Sequence, residues 1–482
     1  PALSDARRSH PVVNVVRRSP ISGVTGRRRE WPPGAILVVF VIGVFLAPSI
    51  GSAAASAAAT SPNPLHLQLG ASVSQPSDFW GMNIASDKSA GADPVHGLLK
   101  TPTKLLVYPA GNLTERTDFS TNTIYSVGSK EEAAVTVQDF VSYCEAIACA
   151  AVMELPMEIN NTSTTAMEAK YVVDTLGFQP AFFAYGNEAS HWFCFGISWA
   201  ALAAGHPCNT GNTTPTAFAN ETAAAIRAVS SALGPTAPAA MCLNAGTGTG
   251  WQNDTAWIRA LEANPYDNST CAVYAMHAKP AHSQTADPTL ANFYATLTSP
   301  QALPADYQNA SQLLYGMPLY MTEVGWTTPG SVYAPVFTGT WAENVLQSAL
   351  VVQAMQNHIP AMGWFAWNEG ASLQEFAKAT FFSIYSTLFT KLGPTWYTTQ
   401  YLGQNGVFAE ATQNGKAWTL LVVSTNISES FHIGLVGSGF PDSGPGTLYT
   451  VTASGMVTTS IAHLGRGFTL PAQSVVMVTV GS

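Results

Sequence analysis

Charged side chains are scarce in this 482-residue chain: Asp, Glu, Lys and Arg together make up 10% of it, and the net charge is -9. Beyond the first thirty residues no Lys/Arg stripe occurs, which argues against a nucleic-acid partner. The 6 cysteines include no Cys-x-x-Cys pair, so a zinc ribbon is excluded. The chain also lacks a His-x-x-x-His pair, an aspartate-rich calcium loop, a phosphate-cradling glycine pattern and a Gly-x-Ser-x-Gly elbow. No cofactor is implied. After Ala58 no apolar run is long enough to span a bilayer, and no repeat of solenoid period is present.

What remains is a 47% hydrophobic chain whose polarity comes from Ser, Thr, Asn, Gln and Gly. A surface with few ionisable groups changes its charge little with pH, which suits either an acidic extracellular habitat or, more plainly, a glycosylated secreted protein. The N-terminus agrees with export. Arg27-Arg28-Arg29 precede an apolar run from Ala35 to Ile50 and then the small residues Ala53-Ala54-Ala55-Ser56-Ala57, in the order of a signal peptide. A signal-anchor is the alternative, and only if that segment is retained is a membrane a partner. Asn-x-Ser/Thr sequons at Asn112, Asn160, Asn161, Asn212, Asn220, Asn253, Asn268, Asn309 and Asn426 fall in or beside segments that read as loops. An even cysteine count in an exported chain favours disulfides, with Cys194–Cys208 and Cys242–Cys271 preferred. Cys144 and Cys149 either pair at a helix end or stay as buried thiols.

Three segments are expected: a basic leader and signal over 1–58, a catalytic barrel over 76–394 and a β-sandwich over 395–482 that is joined by a strand at 65–73. From Phe79 onward short β-favouring apolar runs alternate with Ala-rich, helix-compatible stretches, the pattern of βα units. Barrel strands are predicted at Phe79–Ile84, Lys104–Tyr108, Ala150–Leu155, Ala181–Tyr185, Ala239–Leu243, Ala272–Met276, Leu319–Thr322 and Met362–Ala366. Helices are predicted at Glu131–Ala148, Thr216–Leu233, Asp254–Glu262 and Thr340–Asn357. After Pro394 short strands follow one another, punctuated by Gly, Pro, Asn and Asp. The fold class is therefore α/β: a (β/α)8 TIM barrel plus a C-terminal all-β sandwich.

Two segments carry chemistry. Ala184-Tyr185-Gly186-Asn187-Glu188 and Leu319-Tyr320-Met321-Thr322-Glu323-Val324-Gly325-Trp326 each run from apolar residues into a glutamate at the predicted exit of a strand, the fourth and the seventh. Barrel strands bring such distant carboxylates together at their C-terminal rim. Cleavage of a glycosidic bond needs one protonated carboxyl at the leaving oxygen and a second carboxylate as nucleophile or base; a separation of roughly 5–5.5 Å gives retention and a larger one inversion. Glu188 and Glu323 meet the requirement of residue type and placement. A lone Asn-Glu pair is ordinarily a solvated loop feature, so the weight rests on the two occurring together.

Gly186-Asn187-Glu188 and Thr322-Glu323-Val324-Gly325-Trp326 resemble the paired signatures of clan A glycoside hydrolases, retaining (β/α)8 enzymes, over residues 65 to 482. Families with heparanase-like, arabinofuranosidase-like and xylosidase-like layouts also carry the C-terminal sandwich and the strand before the barrel. The resemblance implies that Glu188 is the general acid/base, Glu323 the nucleophile and Asn187 a partner of the sugar 2-hydroxyl. Val107-Tyr108-Pro109-Ala110-Gly111-Asn112 resembles the second-strand exit of the same families and places Tyr108 near substrate. The chain departs from the pattern in one respect: many members carry an arginine on strand two supporting the nucleophile, and here only Lys104 and Arg116 are nearby.

Around this pair, His277 closes a strand where clan members often place a histidine or tyrosine, with a structural histidine as the alternative. Asn83 ends the first strand as a substrate contact, and Trp367 is a sugar-stacking platform set against a core-packing reading. His191, Trp192, Phe193, Phe195 and Trp199 line leaving-group subsites or pack beneath the Cys194 loop. Glu154 and Glu158 read as solvated loop acids. Lys279 and Arg116 are weak candidates for contact with a sugar carboxylate. The expected activity is retaining hydrolysis of β-linked glycans by an exported enzyme, with an oligo- or polysaccharide as partner. A transglycosylase, a non-catalytic glycan-binding protein and an inert surface protein are the alternatives.

Overall fold

The computed structural model describes residues 65–87, 94–109, 111–189, 192, 195–206, 213–245, 255–264, 270–300, 302–314, 317–325, 331–364 and 380–481. The predicted signal segment, the Cys194–Cys208 pair, Trp367 and the sequons at Asn212, Asn253 and Asn268 lie outside the described residues.

Eight parallel strands close into a barrel: β1 (Trp80–Asn83), β2 (Leu105–Tyr108), β3 (Ala150–Leu155), β4 (Phe182–Tyr185), β5 (Ala239–Ala245), β6 (Cys271–Ala278), β7 (Leu319–Val324) and β8 (Met362–Trp364). Each coincides with a predicted run, shifted by a few residues at its ends. The short apolar stretches work as strands because both their faces are covered. Along β2, Leu105 and Val107 join the core inside the barrel, while Leu106 and Tyr108 join the core beneath the outer helices. At the seam between β1 and β8, Gly81 pairs with Gly363. A methyl group on Gly363 would collide with the Thr322 carbonyl oxygen, so this seam closes only around glycine.

Three helices match expectation within one or two residues: Pro215–Leu233, Thr255–Ala263 and Trp341–Gln356. The helix predicted from Glu131 instead runs Val137–Ile147. Glu131 and Glu132 belong to the strand Ser129–Glu132 of a three-stranded antiparallel sheet after β2, and Thr136 caps the helix through a reciprocal capping box with Asp139. That sheet and the helices Thr162–Lys170 and Leu303–Leu313 have no counterpart in the sequence reading. The sequons at Asn220 and Asn309 sit within helices, not loops.

The segment 65–73 divides between two sheets. Leu65–His66 pairs parallel with Phe431–Gly434 in a three-stranded sheet, and Leu69–Ser74 pairs with Thr395–Thr399 at the edge of a seven-stranded one. In the larger sheet both faces are again buried. Leu420, Val422, Val476 and Val478 face the smaller sheet, and Leu421, Val423, Val475 and Met477 share the barrel's core. Helix Trp341–Gln356 lies at this junction, and of its residues after Trp341 only Glu343 escapes burial. A helix apolar enough to be buried all round needs cover on every side, which the barrel and the sheet provide together. Gln356 donates from the same helix to the Ala409 carbonyl and to Thr399 Oγ1.

Cys242–Cys271 links β5 to β6, and Cys144–Cys149 closes the C-terminal end of helix Val137–Ile147. No helix among the described residues is long and apolar enough to cross a membrane.

Buried carboxyls are conspicuous in so lightly charged a chain. Burial pushes the carboxyls of Glu115 and Glu168 up to about 8, helped by Glu158 beside the first and Asp118 beside the second. Burial also drives Glu410, at the seam with Gln356, well above the usual carboxylate range. A carboxyl raised on folding holds its proton in the native state while the unfolded chain has released it. The native state therefore binds more protons between roughly pH 4.5 and 8, and stability falls as pH rises through that window. Thermal melts are expected to show the highest midpoint near pH 4 to 5 and a drop of several degrees by pH 8, with Glu410→Gln flattening the slope. A midpoint that climbs toward pH 8 contradicts this assignment.

Candidate active site

Glu188 follows β4 through a turn that begins where the Gly186 N–H donates to the Leu155 carbonyl at 2.9 Å, the last bond to β3. Gly186 has φ +75° and Glu188 φ +46°, both left-handed. For a non-glycine residue such a conformation costs about 1–3 kcal/mol and persists only where surroundings enforce it. Gly186 also needs to be glycine for space, because a Cβ there would come within 2.7 Å of the Trp192 ring. Trp192 Nε1 donates to the Asn187 carbonyl at 2.6 Å, and its ring stacks on Phe195. Trp192 is thus a wall of the turn, which settles it as packing and not as an open sugar subsite.

Glu323 lies within β7, where His277 of β6 is its register partner. His277 Nδ1 is 2.9 Å from Glu188 Oε1 and 3.3 Å from Glu323 Oε2, so one imidazole spans both carboxyls. Glu323 and His277 are each 1% exposed, whereas the Glu188 side chain keeps 15% of its surface open. One donor atom from each of the three residues lies within 4.8 Å of the other two. The sequence places Glu188, Glu323 and His277 far apart, and the fold brings them to one point.

Lys279, one residue beyond β6, places a cationic side chain against the pair. Its Nζ donates to Glu323 Oε1 and lies 3.8 Å from Glu188 Oε1, with 9% of the side chain exposed. Three oxygen and nitrogen donors this close are a set that can hold a divalent cation. Here an ammonium already stands against both carboxylates, and its charge opposes a second cation.

The other expected contacts divide. Asn83 sits on the inner side of β1 with 1% exposure; its amide finds no partner among the described residues and its Oδ1 faces Gly363. Asn187 is buried beside Glu188. Tyr108 needs correction: strand alternation turns it outward to stack on Phe140 at 5.0 Å, and its hydroxyl donates to the Val135 carbonyl at 2.8 Å. A ring wholly buried under the helix layer touches no substrate. Phe79 and Trp80 are core, packed on Trp396, Tyr385 and Phe389.

Glu154 and Glu158 also depart from expectation, since both are buried, and Thr114 Oγ1 donates to Glu154. Beside them lies Glu115, which the sequence reading passed over. Its Oε2 accepts the backbone N–H groups of Met157 and Glu158, each at 2.6 Å, and its Oε1 accepts that of Asn187 at 2.7 Å.

No protein-family model matches this chain, and no curated protein matches it in sequence. Among solved structures it is similar to a Paenibacillus polymyxa xyloglucanase of glycoside hydrolase family 44 (TM-score 0.64, 11% identity, 87% of this chain and 100% of that one). It is also similar to CelM2, a bifunctional glucanase-xylanase from a metagenome library (TM-score 0.63, 14% identity, 87% and 99%). An α-L-arabinofuranosidase from Thermotoga maritima gives a TM-score of 0.62 at 11% identity, over 86% of this chain and 100% of that one. At these identities the likeness is one of fold, and it bears out the barrel with C-terminal sandwich of the clan A layout.

Proposed function

We propose that this chain is a retaining glycoside hydrolase acting on β-linked glycans, with Glu323 as nucleophile and Glu188 as general acid/base. The observation that carries it is the meeting of Glu188 and Glu323, from β4 and β7, on His277 at the C-terminal rim, with donor atoms within 4.8 Å. So close an approach of single carboxyl oxygens favours a carboxylate that attacks the anomeric carbon directly over a pair set apart to hold a water molecule between them.

In the first step a Glu323 oxygen bonds to the anomeric carbon as the bond to the leaving oxygen breaks, and the Glu188 proton moves to that oxygen. In the second, Glu188 takes a proton from water as the water oxygen attacks the same carbon and the ester to Glu323 breaks. Atoms and protons balance, and both carboxyls return to their starting states. His277 holds the two carboxyls in register, and Lys279 is the counter-ion of whichever is charged. Asn187 and Asn83 contact sugar hydroxyls and Trp367 stacks on a ring face. An exported protein, glycosylated at some of its sequons and working on plant or microbial polysaccharide, fits the leader sequence and the xyloglucanase and glucanase-xylanase activities named for its structural neighbours.

The test is hydrolysis of a panel of aryl β-glycosides and polysaccharides, with the anomer released first read by proton NMR. Release of the β-anomer supports the proposal; release of the α-anomer sinks the retaining mechanism. Binding of glycans without any turnover moves the protein to the glycan-binding class. Sugar transferred to an added acceptor, with little free sugar, identifies a transglycosylase.

A further inference from the structure

Between the second, third and fourth strand exits lies a buried carboxyl group whose contacts reach the acid/base turn. Glu115 is held at its own backbone by Trp199, whose Nε1 donates to the Glu115 carbonyl at 2.9 Å, and Trp199 in turn stacks on Tyr125 at 5.3 Å. From there the side chain crosses beneath two loops and accepts the N–H groups of Met157, Glu158 and Asn187. Those loops follow β3 and β4, and a buried N–H with neither sheet nor helix partner needs some acceptor. Glu115 gives one acceptor group to all three.

We infer that Glu115 is a positioning residue that aims Glu188, by fixing the Asn187 peptide from which the acid/base side chain departs. The Asn187 N–H is held by Glu115 and the Asn187 carbonyl by Trp192, so the backbone on both sides of this residue is pinned. Glu188 follows immediately, in a left-handed conformation that needs enforcement. The inference rests on the acid/base role proposed above, and it names a group that touches no reacting atom.

Glu115→Gln tests it. In the orientation that keeps the bonds to Met157 and Glu158, the amide –NH2 faces the Asn187 N–H and cannot accept it. The turn loosens while the rest of the clamp survives. Displacing a proton donor slows substrates that need their leaving group protonated and spares those that do not. For unsubstituted phenyl β-glycosides kcat/KM is expected to fall by about 10-fold to 100-fold, with under about 3-fold loss for 2,4-dinitrophenyl glycosides. Hydrogen exchange at the Asn187 amide, measured in the unliganded protein, is expected to speed up by at least about 10-fold. Thermal melts confirm that the variant is folded, and Glu115→Asp, which shortens the reach, serves if it is not.

Equal loss with both leaving groups means a general structural role and overturns the inference, as does unchanged exchange at Asn187. If the wild-type protein cleaves no glycoside, the proposed function fails, and the exchange measurement alone decides whether Glu115 holds the turn.

Discussion

Replacing Glu323 by alanine is expected to lower hydrolysis of any β-glycoside substrate by at least about 10⁴-fold, because the proposed mechanism then has no nucleophile for the anomeric carbon. The site makes the experiment clean. Glu323 is 1% exposed and stands between His277 and Lys279, so removing its carboxylate opens a small space on the side of the sugar opposite the leaving group. Azide fits such a space and attacks without a protein intermediate, so a β-substrate yields an α-glycosyl azide. Recovery of turnover with this product assigns the nucleophile. Recovery of a β-azide instead transfers that role away from Glu323.

Glu188→Ala is expected to behave differently. Loss of general acid catalysis lowers kcat/KM by about 10²–10⁴-fold for phenyl glycosides, and far less for 2,4-dinitrophenyl glycosides, whose oxygen departs without a proton. The second step then lacks its base, so a glycosyl-enzyme accumulates and azide releases it as the β-azide. The greater opening of Glu188, whose side chain keeps 15% of its surface exposed, suits a group that must meet both a leaving group and an incoming water. If the loss is the same for every leaving group, Glu188 is not the acid. The two variants together assign both roles, since each yields the anomer that the other does not.

The glutamates were legible because barrel strands announce themselves as short apolar runs, and a carboxylate just past such a run lands on the rim wherever it lies in the chain. His277 was legible for the same reason. Lys279 was visible but undervalued. Reading the sixth strand as ending at Met276 hid the fact that it continues to Ala278, with an irregularity at His277, so that Lys279 follows at the strand's mouth. Tyr108 was misplaced because a motif gives position along a strand but not which face a residue takes; Val107 points into the barrel and Tyr108 out of it. Glu115 had no local signal at all. Its burial is decided by the backbone amides of Met157, Glu158 and Asn187 in two other loops, and nothing in Leu113-Thr114-Glu115-Arg116 encodes them. The three-stranded sheet after β2 was lost similarly, because Ser129–Glu132 is polar, wholly exposed and carries no periodic apolar face.

Helix Trp341–Gln356 bears on how this molecule can be cut and recombined. Its barrel side and its sheet side are both apolar, and Gln356 reaches across to the sheet backbone. Sequence character changes sharply at Pro394, which invites a boundary there, yet a chain ending at that point leaves one flank of the helix bare to water. The C-terminal sheet is better regarded as an outer wall of the barrel than as an appended module. Shuffling experiments that aim to change substrate preference therefore do best to keep barrel and sheet from one parent and exchange the rim loops between them.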